Sequence, residues 1–96
     1  MVEKNEIRRI FYENGKVQAE TSYKDGKMDG ACRTYYESGI LLSESSFKDN
    51  MMHGSRREYY KSGKLKREDI WSYNKLLSSV RYNEEGNCVS VKDFSS

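Results

Sequence analysis

The 96-residue sequence predicts an all-β protein: an elongated antiparallel β-meander of about four β-hairpin repeats of 23 to 24 residues, side by side in one single-layer twisted sheet. Three observations predict it. Glycines Gly15, Gly39, Gly63 and Gly86 recur at intervals of 24, 24 and 23, and a fixed period of that size marks a repeat architecture. The aromatic residues Tyr23, Phe47, Trp71 and Phe94 recur at the same intervals, so two independent markers agree. Proline is absent and there are 8 tyrosines, which leaves every backbone N–H free for a ladder and supplies side chains suited to half-buried strands.

Each unit reads as one hairpin. Four residues before the glycines stand Phe11, Tyr35, Tyr59 and Tyr82, followed by Tyr12, Tyr36, Tyr60 and then Asn83. Two residues after the glycines come Val17, Leu41, Leu65 and Cys88. Asn14-Gly15, Ser38-Gly39 and Ser62-Gly63, flanked by alternating residues, are hairpin-turn signals, since glycine accepts the positive φ that a side chain resists. A two-residue turn sets Tyr12 opposite Val17, Arg9 opposite Glu20, Arg33 opposite Glu44 and Arg57 opposite Glu68. The recurrence of an opposite-charge pair, worth about 0.2 to 1 kcal/mol each, favours that register. A three-residue loop with a bulge is the alternative, setting Phe11 opposite Val17 at the expense of the charge pairs.

In the favoured register Phe11, Tyr35, Tyr59 and Tyr82 form a stripe on one face. Tyr12, Tyr36 and Tyr60 share the other, more apolar face with Val17, Leu41, Leu65, Tyr23, Phe47 and Trp71. A single hairpin is marginal in water, so the units join edge to edge through corners such as "KDGKMDG" and "KDNMMHG". The divisions fall at about 7–30, 31–54, 55–78 and 79–96 within one domain, and the short fourth unit has the character of a capping repeat.

Composition narrows the function. Hydrophobic residues make up 35% and charged residues 33%, which suits a thin, solvated architecture. The net charge of +2, from 17 basic and 15 acidic residues spread along the chain, argues against a nucleic-acid footprint and gives a membrane-lipid surface little basic excess. The opening residues have no apolar signal region, so a cytoplasmic protein is expected. Cys32 and Cys88 lack the spacing of a metal pair and read as buried or free thiols rather than metal ligands or a catalytic pair. His53, the only histidine, reads as a turn residue. Glu20, Glu44 and Glu68 align across the sheet and could bind a cation or serve acid/base chemistry, but the arginine opposite each favours a solvated charge ladder. No cofactor, metal site or catalytic set is expected.

Paired aromatics, two residues, a glycine, a hydrophobic residue, a glutamate, an aromatic and Lys-Asp-Gly, closing on an Asp-Gly or His-Gly step, resemble the MORN repeat, specifically its bacterial variant form. The resemblance spans about residues 7 to 94 and is looser at Ser72 to Ser78 and beyond Asn83. It implies hairpin repeats without catalytic machinery. It further implies an antitoxin-component or immunity-like role, whereas relatives of the parent repeat are scaffolds and membrane-lipid binders. A single-layer sheet cannot hide both faces, so its aromatic stripes point to another protein as partner. The expected anchors are Tyr12, Tyr36, Tyr60 and Trp71, with Arg33 and Arg57 fixing orientation and a cognate toxin as the concrete partner. The alternative is a scaffold, self-associating through sheet edges or apposed to a membrane.

Overall fold

The computed structural model describes residues 4–94. Eight antiparallel strands lie in one open sheet in sequence order. They are β1 (Asn5–Phe11), β2 (Val17–Lys24), β3 (Lys27–Tyr35), β4 (Leu41–Lys48), β5 (Met51–Tyr59), β6 (Leu65–Ser72), β7 (Lys75–Tyr82) and β8 (Cys88–Asp93). The slab measures 47 × 41 × 14 Å, one sheet thick, and among the described residues no hydrophobic side chain is fully buried. Cohesion therefore comes from the ladder and from cross-strand side-chain pairs rather than from an enclosed core.

The glycine turns depart from the two-residue reading. In the first hairpin Gly15 N–H donates to the Tyr12 carbonyl at 3.0 Å and Tyr12 N–H to the Lys16 carbonyl at 2.8 Å. Gly15 takes φ +87°. This is a three-residue loop whose glycine carries a bulge. It sets Phe11, not Tyr12, opposite Val17, and likewise Tyr35 opposite Leu41, Tyr59 opposite Leu65 and Tyr82 opposite Cys88. The expected loss of the charge pairs does not follow. A second register shift comes one step further on, between Ile10 and Phe11 in the first hairpin, and Arg9 again faces Glu20. The offsets cancel in every hairpin, so Arg33 faces Glu44 and Arg57 faces Glu68.

The two-residue turns lie at the opposite margin. Asp25 and Gly26, Asp49 and Asn50, and Tyr73 and Asn74 all have positive φ, the mirror-image turn whose twist matches that of its strands. His53 lies within β5 rather than in a turn, and its ring stacks on Tyr73 with centroids 4.2 Å apart.

Both margins are tied from hairpin to hairpin. At the loop margin the Tyr12, Tyr36 and Tyr60 hydroxyls donate to the carbonyls of Tyr35, Tyr59 and Tyr82, one repeat onward. At the corner margin Asn50 Oδ1 accepts Met28 N–H at 2.8 Å while Asn50 N–H donates to the Met28 carbonyl. Asn74 grips Met52 in the same way, and Asp25 grips Lys4. In the fourth hairpin Asn83 holds the matching position, and its Oδ1 accepts from the Glu85 and Asn87 N–H groups within its own loop.

Candidate functional site: a charge ladder beside an aromatic row

Direct pairing places Arg9, Glu20, Arg33, Glu44, Arg57 and Glu68 in one row across β1 to β6. Arg9 Nε lies 2.7 Å from Glu20, and Arg33 reaches Glu44 at 2.6 Å and Glu20 at 3.4 Å. Arg57 reaches Glu68 at 2.6 Å and stands opposite Glu44 on its other side. The hydrogen bond to Glu44 raises the Arg33 pKa above its ordinary value, and the bond to Glu68 does the same for Arg57. Carboxylates and guanidiniums therefore alternate, so the aligned glutamates do not form an anionic row. Among the described residues no group of three or more His, Cys, Asp and Glu side chains is placed to hold a metal.

Beyond the ladder on the same face, Phe11, Val17, Tyr35, Leu41, Tyr59 and Leu65 make a second row that alternates aromatic and aliphatic. This revises the expected faces: Val17, Leu41 and Leu65 share the face of Phe11, Tyr35 and Tyr59, alongside the arginines. Only Phe11 of this row is largely exposed, at 58%, and the others are half-buried. On the ladder's other side Ile7 faces Ser22, Ala31 faces Ser46 and Ser55 faces Ile70, giving a third row that is small at its centre.

The opposite face is built from small polar residues. Thr21, Cys32 and Ser45 pair in series, as do Ala19 with Thr34 and Thr34 with Ser43. Ser43, Ser45 and Ser79 are buried, and Asp69 is 1% exposed, accepting from Arg67 at 3.0 Å and facing Arg56. Phe47 and Trp71 cross this face opposite Gly30 and Gly54, where an added Cβ would meet Ser22 at 3.5 Å and Ser46 at 3.3 Å. The Trp71 indole N–H is buried without an acceptor. Cys32 is half-buried and Cys88 exposed, both as free thiols.

The expected anchors thus divide among three places. Arg33 and Arg57 stand in the ladder, and Trp71 lies on the opposite face. Tyr12, Tyr36 and Tyr60 line the loop margin with their hydroxyls engaged. A hollow of about 580 Å³ there is walled by Tyr12, Tyr36, Glu37, Ser38, Ile40 and Lys61. The neighbours the sequence reading did not group with the arginines, namely Tyr35, Leu41, Tyr59 and Leu65, are the ones the structure brings to them.

A one-layer slab of hairpins joined by periodic turns, displaying rows of paired side chains, defines a β-hairpin repeat module. The chain belongs to the MORN repeat variant family, which matches residues 7–25, 28–49 and 52–72. That family is generally non-enzymatic. Comparison with curated proteins and with solved structures gives no match.

Proposed function

We propose that the protein is a non-catalytic binding module whose ladder face docks on another protein. Its most concrete form is an antitoxin or immunity protein that covers the active surface of a cognate toxin. The observation that carries this reading is the ladder face itself. Arginines and tyrosines, the residue types enriched at interface centres, stand in registered rows on a sheet that fully buries no apolar side chain among the described residues. Tyr35 and Tyr59 supply rigid apolar area, and Arg33 and Arg57 supply directional charge. The ring edges of Tyr12, Tyr36 and Tyr60 extend the contact at the margin, and Trp71 serves a partner that wraps the opposite face. No helix among the described residues is long and apolar enough to cross a membrane.

The test is neutralisation. The toxin candidate is the product of the neighbouring gene, co-expressed with this chain while growth is followed. Wild type restores growth, whereas a Tyr35→Ser/Tyr59→Ser variant that keeps its strand circular dichroism does not. Equal protection by that variant would remove the ladder face from the proposal, and absence of protection by wild type would remove the toxin reading.

A further inference from the structure

The ladder face is complementary to itself. Odd strands carry arginine and an aromatic ring, and even strands carry glutamate and an aliphatic side chain, over six consecutive strands. Lay a second copy on this face, related by a two-fold axis parallel to the strands and passing between β3 and β4. The strand order then reverses, so Arg9 meets the partner's Glu68, Glu20 meets the partner's Arg57, and Arg33 meets the partner's Glu44.

The same operation sets Phe11 on the partner's Leu65, Val17 on the partner's Tyr59 and Tyr35 on the partner's Leu41, a ring over an aliphatic group each time. In the third row Ile7 meets the partner's Ile70, while Ser22, Ala31, Ser46 and Ser55 meet one another at the centre and allow close approach. Three rows are satisfied by one axis.

We infer that the free protein forms a face-to-face two-fold dimer through this surface, with a second copy of the chain as occupant. The alternatives are separated by charge. An axis running along the ladder would put Arg9 on the partner's Arg9 and every other charge on its like, which costs several kcal/mol. An axis between β4 and β5 would leave Glu20 on the partner's Val80 and Arg9 on the partner's Val91, because valines hold the ladder positions of β7 and β8. Only the axis between β3 and β4 pairs all six charges.

The 47 × 41 Å face exceeds the roughly 800 Å² per partner of a standard stable interface. Sheets that pack face to face hold their strands within about 30° of one another, as this axis requires. The ladder contributes selectivity more than affinity, since its charges are already paired within each copy and lose water on docking. The aromatic and aliphatic row contributes the burial. The dimer concerns the free protein and does not depend on docking to a different protein.

Charge exchange between copies tests it. Arg33→Glu and Glu44→Arg each place like charges across the axis twice. In a mixed dimer of the two variants both pairs become opposite again, although neither chain regains its internal pairs. Light scattering and analytical ultracentrifugation should show wild type at twice the monomer mass, and each variant alone dissociating at a concentration at least roughly tenfold higher. The equimolar mixture should return to within about threefold of wild type.

Wild type that stays monomeric at a few hundred micromolar overturns the inference, as does a mixture no tighter than its components. Association unchanged in both variants would mean edge pairing and also overturns it. Ala31→Arg leaves the ladder intact and puts a long cation against the partner's Ser46; it should abolish the dimer, and a dimer that survives it rejects this axis. None of these outcomes bears on toxin neutralisation, so the two proposals fail separately.

Discussion

The Tyr36 hydroxyl donates to the carbonyl of Tyr59 at 2.7 Å, fastening one hairpin to the next at a point where no strand pairing reaches. The tie recurs from Tyr12 to Tyr35 and from Tyr60 to Tyr82. Tyr36→Phe keeps the ring and deletes this bond, leaving the Tyr59 carbonyl to solvent or unpaired. A loss of about 1 kcal/mol in the free energy of unfolding is expected, read by thermal melting as a drop of about 4 to 8 °C. No change on Tyr36→Phe would mean that water replaces the hydroxyl at no cost.

The corner clamps make a graded series. Asn74 has φ +69°, and its side chain holds Met52 N–H at 2.9 Å. Asn74→Ala loses the bond and resists the left-handed backbone, so about 2 kcal/mol is expected. Asn74→Gly loses only the bond, and about 1 kcal/mol is expected, the difference being the backbone contribution. Urea denaturation of the two variants measures both; a glycine variant as stable as wild type would contradict the clamp, and one less stable than the alanine variant would contradict the backbone contribution.

Within one copy the ladder should be modest in energy. The Arg57 and Glu68 side chains are 40% and 31% exposed, so solvent screens their attraction despite the 2.6 Å contact. A double-mutant cycle on Arg57→Met and Glu68→Gln is expected to give a coupling of about 0.5 kcal/mol, shrinking as salt rises toward molar. A coupling of several kcal/mol, insensitive to salt, would show the pair to be far better shielded than its exposure implies.

Glu6 offers a pH readout. Its hydrogen bond from Arg8, 3.1 Å long, and the charge of that guanidinium hold the Glu6 pKa below its ordinary value. A depressed carboxylate contributes stability above its unfolded pKa and loses it as pH falls through the folded one. A carboxyl NMR titration should therefore place the Glu6 midpoint below that of an unstructured glutamate, and Arg8→Gln should move it upward. Unchanged midpoints would show the contact to be unoccupied in solution. The pH dependence of unfolding from this pair is confined to acid pH, and with the Arg8 and Glu6 side chains 60% and 41% exposed it is small.

Much of this arrangement was legible because the repeat is short and regular. The intervals of 24, 24 and 23 located the hairpins, and Arg9 with Glu20, Arg33 with Glu44 and Arg57 with Glu68 named pairs that the sheet contains. The turn type was not legible from those pairs. A loop bulge at Gly15 and a second shift between Ile10 and Phe11 cancel, so the charges report the same partner whether both offsets exist or neither does. Val17, Leu41 and Leu65 lie between the two offsets, which is why their face was misread. The tyrosine hydroxyls were also hidden, since their acceptors lie in the next hairpin, 22 or 23 residues away, and no local pattern points there.

A sheet that seals away no hydrophobic side chain among its described residues, and covers most of them only in part, has less newly wetted oily area to reveal when it comes apart. The heat-capacity increment per residue should then fall below the roughly 12 to 15 cal/mol/K of globular domains, flattening the curve of stability against temperature. Such a protein would soften gradually on heating and resist cold far better than a body built around a dry interior.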